Sequence, residues 1–406
     1  MKRRYVTAFP GRRDHYQMPV SLAENGRLAG FATCFYQGRG LLGRLPGLRS
    51  RLSSRQAPGL HAAPIECLEI TNLLARLGAK VLQPSRVAVT EDLAFARKAL
   101  AMAKAKAANL FLYEFQADWA FRQPEAAGAV KILFQFHTHP DLEHPLLLAD
   151  AQRYPQFLEQ IRRDTRGNLP ERFRAHTRGA WRSADHVIVA SRFTAQSLET
   201  AGCPADRITV VPYGCSIASA PAPASGRPPG AARPYFLFVG SGTHRKGLHH
   251  LLEAWSGSRL TATHELIVIA RVVDPLMAPF LSQAPSVRHI PGVSAPELAQ
   301  WYRGAKAFVL PSLSEGFGHV YLEALASGCP VIGTRHSMLP DFEKAQAHVR
   351  YVEPCDPEGL RDVLEAVAGT DPSHPFFQTA SVRESVLEFT WERFRRGIES
   401  VLERFD

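Results

Sequence analysis

Two series of short, largely apolar runs, each separated by amphipathic stretches, constrain this chain more than any other feature. The first series contains VKILFQF (130–136), HVIVA (186–190) and ITVVP (208–212). The second contains YFLFV (235–239), ELIVIA (265–270), AFVL (307–310) and PVIG (330–333). Runs without polar alternation suit strands buried on both faces, as in parallel sheets covered by helices. Helical patterning fills the gaps, for example over 246–255 and 320–327. Between the two series lies IASAPAPASGRPPGAAR (217–233), built of Ala, Pro, Ser and Gly without periodicity, which reads as a linker. The expected architecture is α/β: two doubly wound, Rossmann-like domains, 1–214 and 234–385, with 215–233 between them. Open parallel sheets bind ligands beyond the carboxyl ends of their strands, so the cleft between the domains is the expected site.

Composition narrows the classes. The 406 residues are 45% hydrophobic and 21% charged, which excludes disorder as the main state and fits two or three domains. No run of about 18 apolar residues occurs, so no spanning helix is expected. Lys2, Arg3 and Arg4 precede an apolar stretch that breaks at Pro10-Gly11, too short for a signal peptide. A cytoplasmic protein is expected. Cys34, Cys67, Cys203, Cys215, Cys329 and Cys355 include no C-x-x-C pair and read as small buried hydrophobes in a reducing compartment.

The formal charge of +10 is unevenly spread. Residues 1–215 hold 30 Lys and Arg against 18 Asp and Glu, whereas 216–406 hold 18 against 20. Arg39, Arg44, Arg49, Arg51 and Arg55 stand among Leu41, Leu42, Leu45 and Leu48. A basic, partly apolar face of this kind attracts anionic partners, and an anionic membrane surface at the inner face of the membrane is one. A solvated face in an arginine-biased sequence, with 39 Arg to 9 Lys, is the other reading.

The most specific stretch is VLPSLSEGFGHVYLEALASGCPVIGTRHSMLPD (309–341). A strand leads into Glu315-Gly316-Phe317-Gly318, and a helix begins near His319 and ends at Gly328. The glycines permit close backbone approach, and a helix start offers free N–H groups to an anion. Glu315 precedes the helix and Glu323 lies on it, so the two carboxylates can hold different hydroxyl-bearing parts of one elongated ligand.

Glu315-x7-Glu323 in its setting closely resembles the signature of the retaining, nucleotide-sugar-dependent glycosyltransferases of family 4, bacterial type, with the GT-B fold. The resemblance continues through FVGSGTHRKG (238–247), ADHVIVAS (184–191) and VVPYG (210–214), and is looser before residue 180. It implies transfer of a hexosyl unit from a nucleotide sugar to a glycan, lipid-linked or other acceptor, with retention of configuration. On this resemblance Glu315 and the amides of Gly316, Phe317 and Gly318 would meet the donor sugar, and Glu323 the ribose. Arg245 and Lys246, beside Gly240, would neutralise the leaving diphosphate, and the backbone near Val293 would meet the base. His137, ending the apolar strand, would bond a sugar hydroxyl. Gly11 and Arg12, in the loop after the first strand, would lie on the acceptor side. A final helix, within 386–406, would cross back onto the N-terminal domain. The implied catalytic set is Glu315, His137 and Lys246, with no metal or other cofactor, since fixed cations and helix ends stabilise the leaving group and no Asp-x-Asp occurs. The chain departs from the family pattern at Ser241, Ser216 and Ser337-Met-Leu-Pro-Asp341.

Rival readings rest on fewer residues. His137-Thr-His139-Pro-Asp141 resembles the first ligand set of a metal-dependent hydrolase, but Leu142 follows where a histidine is usual. A dinucleotide oxidoreductase would need G-x-G-x-x-G, which is missing. A non-catalytic sugar-nucleotide-binding relative fits the same motifs. A nucleic-acid partner has only the basic half in its favour, without a stacking motif, and is not expected.

Overall fold

The computed structural model describes residues 2–44, 52–78, 84–164, 178–215 and 232–406. Arg49, Arg51, Ser216 and nearly all of the expected linker lie outside these.

The apolar runs do form strands, and every recorded strand pairing is parallel. The first sheet holds β1 (Tyr5–Ala8), β2 (Leu28–Thr33), β3 (Ile65–Cys67), β4 (Asn109–Tyr113), β5 (Lys131–Gln135), β6 (His186–Val189) and β7 (Ile208–Val210), in the order β3-β2-β1-β4-β5-β6-β7. The second holds β8 (Tyr235–Val239), β9 (Glu265–Ile269), β10 (Val287–Ile290), β11 (Ala307–Leu310), β12 (Val331–Gly333) and β13 (Val349–Tyr351), in the order β10-β9-β8-β11-β12-β13. All five residues of β8 are buried, as a strand covered by helices on both faces requires. Apolar side chains on one face of the first sheet, including Phe134 and Tyr213, run without a break into the core around β8 and β11. The other face of that sheet has its own core. Two parallel α/β domains in this arrangement are the GT-B fold.

The final helix, Trp391–Glu403, buries Phe394, Ile398, Val401 and Leu402, one stripe at helical spacing. That stripe lies against the first domain: the Ser21 hydroxyl donates to the Arg395 carbonyl at 3.0 Å, and the helix packs along Gln17–Glu24. Gly214, just after β7, has its Cα so close to the Thr390–Trp391 peptide that a Cβ would sit 2.2 Å from it. The chain therefore leaves the first domain and returns to it along the same path.

A buried guanidinium closes the return. Arg27 has no exposed surface and donates to Glu399 at 2.7 Å and in bidentate fashion to Asp406 at 2.7 Å. These carboxylates hold its proton more tightly than usual against the cost of burial. Because Glu399 and Asp406 keep 12% and 26% side-chain exposure, water shares their solvation when the cation is lost. Arg27→Ala should cost roughly 2 kcal/mol, less than the ~3–5 kcal/mol of a wholly buried pair, read from urea unfolding. An unchanged midpoint would mean that the clasp contributes nothing.

Candidate functional site

In each sheet the strand order reverses once, between β1 and β4 and between β8 and β11. Such switch points open a crevice at the carboxyl ends of the strands. The loops leaving β1, β4 and β5 meet the loops leaving β8 and β11 across the interdomain cleft.

After β8 the chain turns through His244–Lys246, a single 3-10 turn, before the helix Leu248–Ser256 begins. The helix expected from residue 246 thus starts two residues later. The cause is Gly247, which takes a left-handed φ of 68° and sits so close to Pro311 that a Cβ would lie 2.0 Å from its carbonyl oxygen. No other residue fits there, and the turn after β8 is thereby held against the end of β11. Leu313 N–H donates to the Arg245 carbonyl at 2.9 Å, a second tie between the loops.

This clamping brings Arg245, Lys246 and Glu315 together. The Lys246 ammonium pairs directly with the Glu315 carboxylate, and Arg245 lies 3.5 Å from the same oxygen. Arg245 also donates to the Ser314 carbonyl at 2.7 Å. Burial alone would raise the Glu315 carboxyl, but the Lys246 and Arg245 cations outweigh it and hold it below its ordinary range. Burial pulls the Lys246 ammonium down in turn. Glu143, on the helix Pro140–Arg153, faces Arg245 at 4.0 Å, and burial pushes its carboxyl up.

The first domain supplies the opposite wall. His137 follows β5, and its Nδ1 bonds to Glu114, which is buried directly after β4. The Glu114 carboxylate at Nδ1 fixes the orientation of the ring and leaves Nε2 as the ring nitrogen available to a ligand hydroxyl. Thr138 accepts from the Ser314 hydroxyl at 2.9 Å across the cleft. Gly316 is pressed on the end of β5, where a Cβ would lie 1.9 Å from the Phe136 carbonyl oxygen. Its own carbonyl accepts from Ser191 at 2.5 Å and from Thr194 at 2.9 Å.

The cavity between these walls measures about 390 Å³ and is lined by His137, Arg245 and Lys246 together with Glu114, Thr138 and Glu143. Glu315 abuts it through Lys246. Phe317 is buried edge-on to Tyr213, and Gly318 caps the helix His319–Ala326, which begins at His319 as the sequence suggests. His319 stacks on Tyr213 at 4.7 Å, and burial together with Arg13 and His15 holds its imidazole at a pKa of about 3, so it is neutral. Glu323 lies farther along that helix, within 3.4 Å of the Tyr302 hydroxyl. Gly240 ends β8, and Val293 lies half-buried between β10 and the helix Ala295–Gly304. Gly11 and Arg12 stay on the loop after β1 and do not line the cavity; Arg12 bonds His15 at 2.7 Å.

Several neighbours were not legible in the sequence. Asp14, His15 and Tyr16 are three successive left-handed residues, with φ of 48°, 50° and 65°. Asp14 is buried and accepts from Tyr113 at 3.1 Å and Tyr213 at 2.9 Å, with Arg13 beside it at 3.3 Å. Burial outweighs these partners and raises its carboxyl. Strain of this kind persists only where surrounding contacts over-determine the backbone, and here it anchors the loop after β1. No local pattern signals it, because Tyr113 and Tyr213 come from distant strands.

The ligand set of the rival hydrolase reading does not assemble among the described residues. His139 is buried as the N-cap of Pro140–Arg153, accepting from the Asp141 N–H at 3.2 Å, while Asp141 faces Arg178. His137 is committed to Glu114, and the groups with metal-ligand spacing among the described residues contain none of the three.

Residues 61–218 match the profile of the glycosyltransferases of family 4, and residues 227–369 that of the glycosyl transferases group 1. The chain resembles these families along both halves. It is 59% identical over 49 residues to the D-inositol 3-phosphate glycosyltransferase of Arthrobacter sp. strain FB24, a match covering 12% of each chain. The chain thus spans about an eighth of that relative's length in the match. Among solved structures it is similar to sucrose-phosphate synthase from Thermosynechococcus elongatus, with a TM-score of 0.70 and 16% identity over 100% of this chain and 99% of the other. It is also similar to HepE of Anabaena in complex with UDP, with a TM-score of 0.65 and 14% identity over 100% of both chains.

Gly316 gives the test of the site's geometry. Gly316→Ala places a methyl group against the Phe136 carbonyl, and relief requires the two loops to part. Overpacking costs ~1–3 kcal/mol, and ligand affinity should fall at least tenfold because the two walls no longer meet. Small-angle scattering should show a more open molecule; unchanged dimensions and unchanged ligand affinity would refute the contact.

Proposed function

We propose that this chain is a glycosyltransferase that moves a hexosyl unit from a nucleotide sugar to a glycan or lipid-linked acceptor. The observation that carries the reading is the convergence of Arg245, Lys246 and Glu315 at a cavity between two switch points, with the helix start at His319 beside them. The family resemblance and the likeness to a UDP-bound structure support it.

Departure of a nucleoside diphosphate builds negative charge on the leaving oxygen and positive charge at the anomeric carbon. Lys246 and Arg245 oppose the first charge from fixed positions in a site of low dielectric, where such pairing is strongest. Arriving phosphates compete for Lys246 and so release the Glu315 carboxylate to accept from sugar hydroxyls. His137, with its ring oriented by Glu114, bonds another hydroxyl and helps to fix the anomeric carbon. We assign no protein nucleophile. Attack on the same face, with the leaving phosphate taking the acceptor's proton, gives retention, and the two side-chain cations serve in place of a divalent ion at the phosphates.

The test uses a set of nucleotide sugars, UDP-sugars first. A donor at 100 times its dissociation constant stabilises by about 2.7 kcal/mol, a readily measured rise in Tm. Lys246→Ala and Glu315→Gln should each lower transfer at least a hundredfold while the chain stays folded. Donor binding without transfer to any acceptor would favour the non-catalytic relative. No binding of any nucleotide sugar would remove the proposal.

A membrane-borne acceptor has its own support. In the helix Glu69–Gly78, Ile70, Leu73, Leu74 and Leu77 are exposed by 44–69%, at i, i+3, i+4, i+7 spacing, and Leu41 beside them is exposed by 80%. Leu41 is placed there by the Glu69 carboxylate, which accepts from its N–H at 2.9 Å. Arg39 and Arg44 stand two and three residues from Leu41, Arg44 exposed and Arg39 donating to the His61 carbonyl at 2.8 Å. An apolar stripe with a basic rim suits the headgroup boundary of an anionic bilayer. Co-sedimentation with anionic vesicles should exceed that with neutral ones, should weaken with salt, and should fall in Leu74→Glu. Equal binding to both vesicle types at low salt would exclude it.

A further inference from the structure

Behind the turn after β8 lies a buried side-chain cluster that the proposed chemistry does not use. Asp150, on the helix Pro140–Arg153 of the first domain, accepts from three imidazoles of the second. His244 Nε2 and His249 Nε2 lie 2.7 and 2.9 Å from one carboxylate oxygen, and His250 Nε2 lies 2.9 Å from the other. All four residues are at most 4% exposed. The side chains of Tyr154, Phe157 and Phe280 wall the cluster with rings. Cys355 Sγ lies within 4.8 Å of the ligand atoms of Asp150 and His250, on a backbone with a left-handed φ of 63°.

One feature asks for a positive charge here. The recorded ion-pair partners of Asp150 are these three histidines, with no lysine or arginine among them. A carboxylate taken out of water costs several kcal/mol unless a charge opposes it. In addition, the Nδ1 atoms of all three rings are buried without a hydrogen-bond partner among the described residues, so each ring engages only through the nitrogen facing Asp150. The ligand atoms of Asp150, His244 and His249, from the two domains, lie within 4.8 Å of one another, and mixed nitrogen and oxygen donors suit a borderline divalent ion, not magnesium or calcium, which prefer all-oxygen shells.

We propose that Asp150, His244 and His249 bind one zinc-class divalent cation that fastens the two domains, while His250 stays bonded to the other carboxylate oxygen. This rests on donor atoms alone and is independent of the sugar-transfer reading. Zinc–nitrogen bonds of ~2.0–2.1 Å place tetrahedral ligands about 3.3 Å apart, so the nitrogens draw back from the carboxylate by roughly 0.5 Å to admit the ion. The donors are buried, and His244 is shared between this cluster and the lining of the cavity; none of the proposed transfer steps runs through the ion, so its role is structural. It fixes His244, and with it the adjacent Arg245 and Lys246, at the place where the domains meet.

The experiment uses the full chain purified without a histidine tag or a chelating column. Zinc content by mass spectrometry should be close to one per chain. Stripping with a chelator should lower Tm, and zinc, unlike magnesium, should restore it, a shift of about 5 °C when the ion is well above its dissociation constant. His249→Gln should lose the bound zinc and the zinc-dependent shift. Cobalt in place of zinc should give the intense visible absorption of a four-coordinate ion, a readout on the unaltered sequence should a variant fail to fold. Stripped protein with no zinc-dependent shift, a weak six-coordinate cobalt spectrum, or equal zinc in His249→Gln would each overturn the site. None of these measurements uses turnover, so failure here and failure of the transferase reading are separate results.

Discussion

The backbone contact between Gly316 and the end of β5 sets the spacing on which the rest of the site depends. With no side chain at 316, the loop after β11 lies directly on the Phe136 carbonyl, and its own carbonyl is satisfied by Ser191 and Thr194. A buried carbonyl left without a partner would cost ~1–3 kcal/mol, so these two hydroxyls favour the closed position as strongly as the close packing does. From that contact follow the Ser314–Thr138 bond and the position of Lys246 opposite His137.

Charge is arranged in the cleft on the same principle. Two cations and the Glu315 carboxylate are held in one place by loops that are themselves clamped at Gly247 and Leu313. Such groups need little reorganisation when an anion arrives, and this preorganisation is the main electrostatic lever available to a protein site. Burial shifts the groups in different directions: Glu315 is kept ionised by its cations, whereas Glu143 and Glu323, with weaker partners, are pushed toward the neutral form.

The C-terminal helix adds a mechanical link. Trp391 and Phe394 pack with Tyr213 and His319, so the first domain, the returning helix and the helix that begins after Gly318 share one aromatic cluster. Arg27 locks the far end of the same helix. Movement between the domains is therefore coupled to this helix, whose two ends are tied to the first domain.

The sequence by itself determined the parallel α/β class and seven of the strands, because a strand buried on both faces is a largely apolar run short enough to read by itself; β2, β3, β4, β10 and β13 were not among the runs read. It also determined which loops carry the unusual residues, since Glu315 and the glycines beside it form a local pattern. Where an element begins was less legible: the turn at His244–Lys246 displaced a helix start because Pro311, far along the chain, leaves no room at Gly247. Only the tertiary structure decided the partners. Glu114 reached His137, Tyr113 and Tyr213 reached Asp14, Asp150 reached three histidines, and His139 became a helix cap instead of a ligand. A local pattern reports burial and backbone preference over a few residues. Distances between side chains that come from separate strands exist only once the sheets are ordered and the two domains have met.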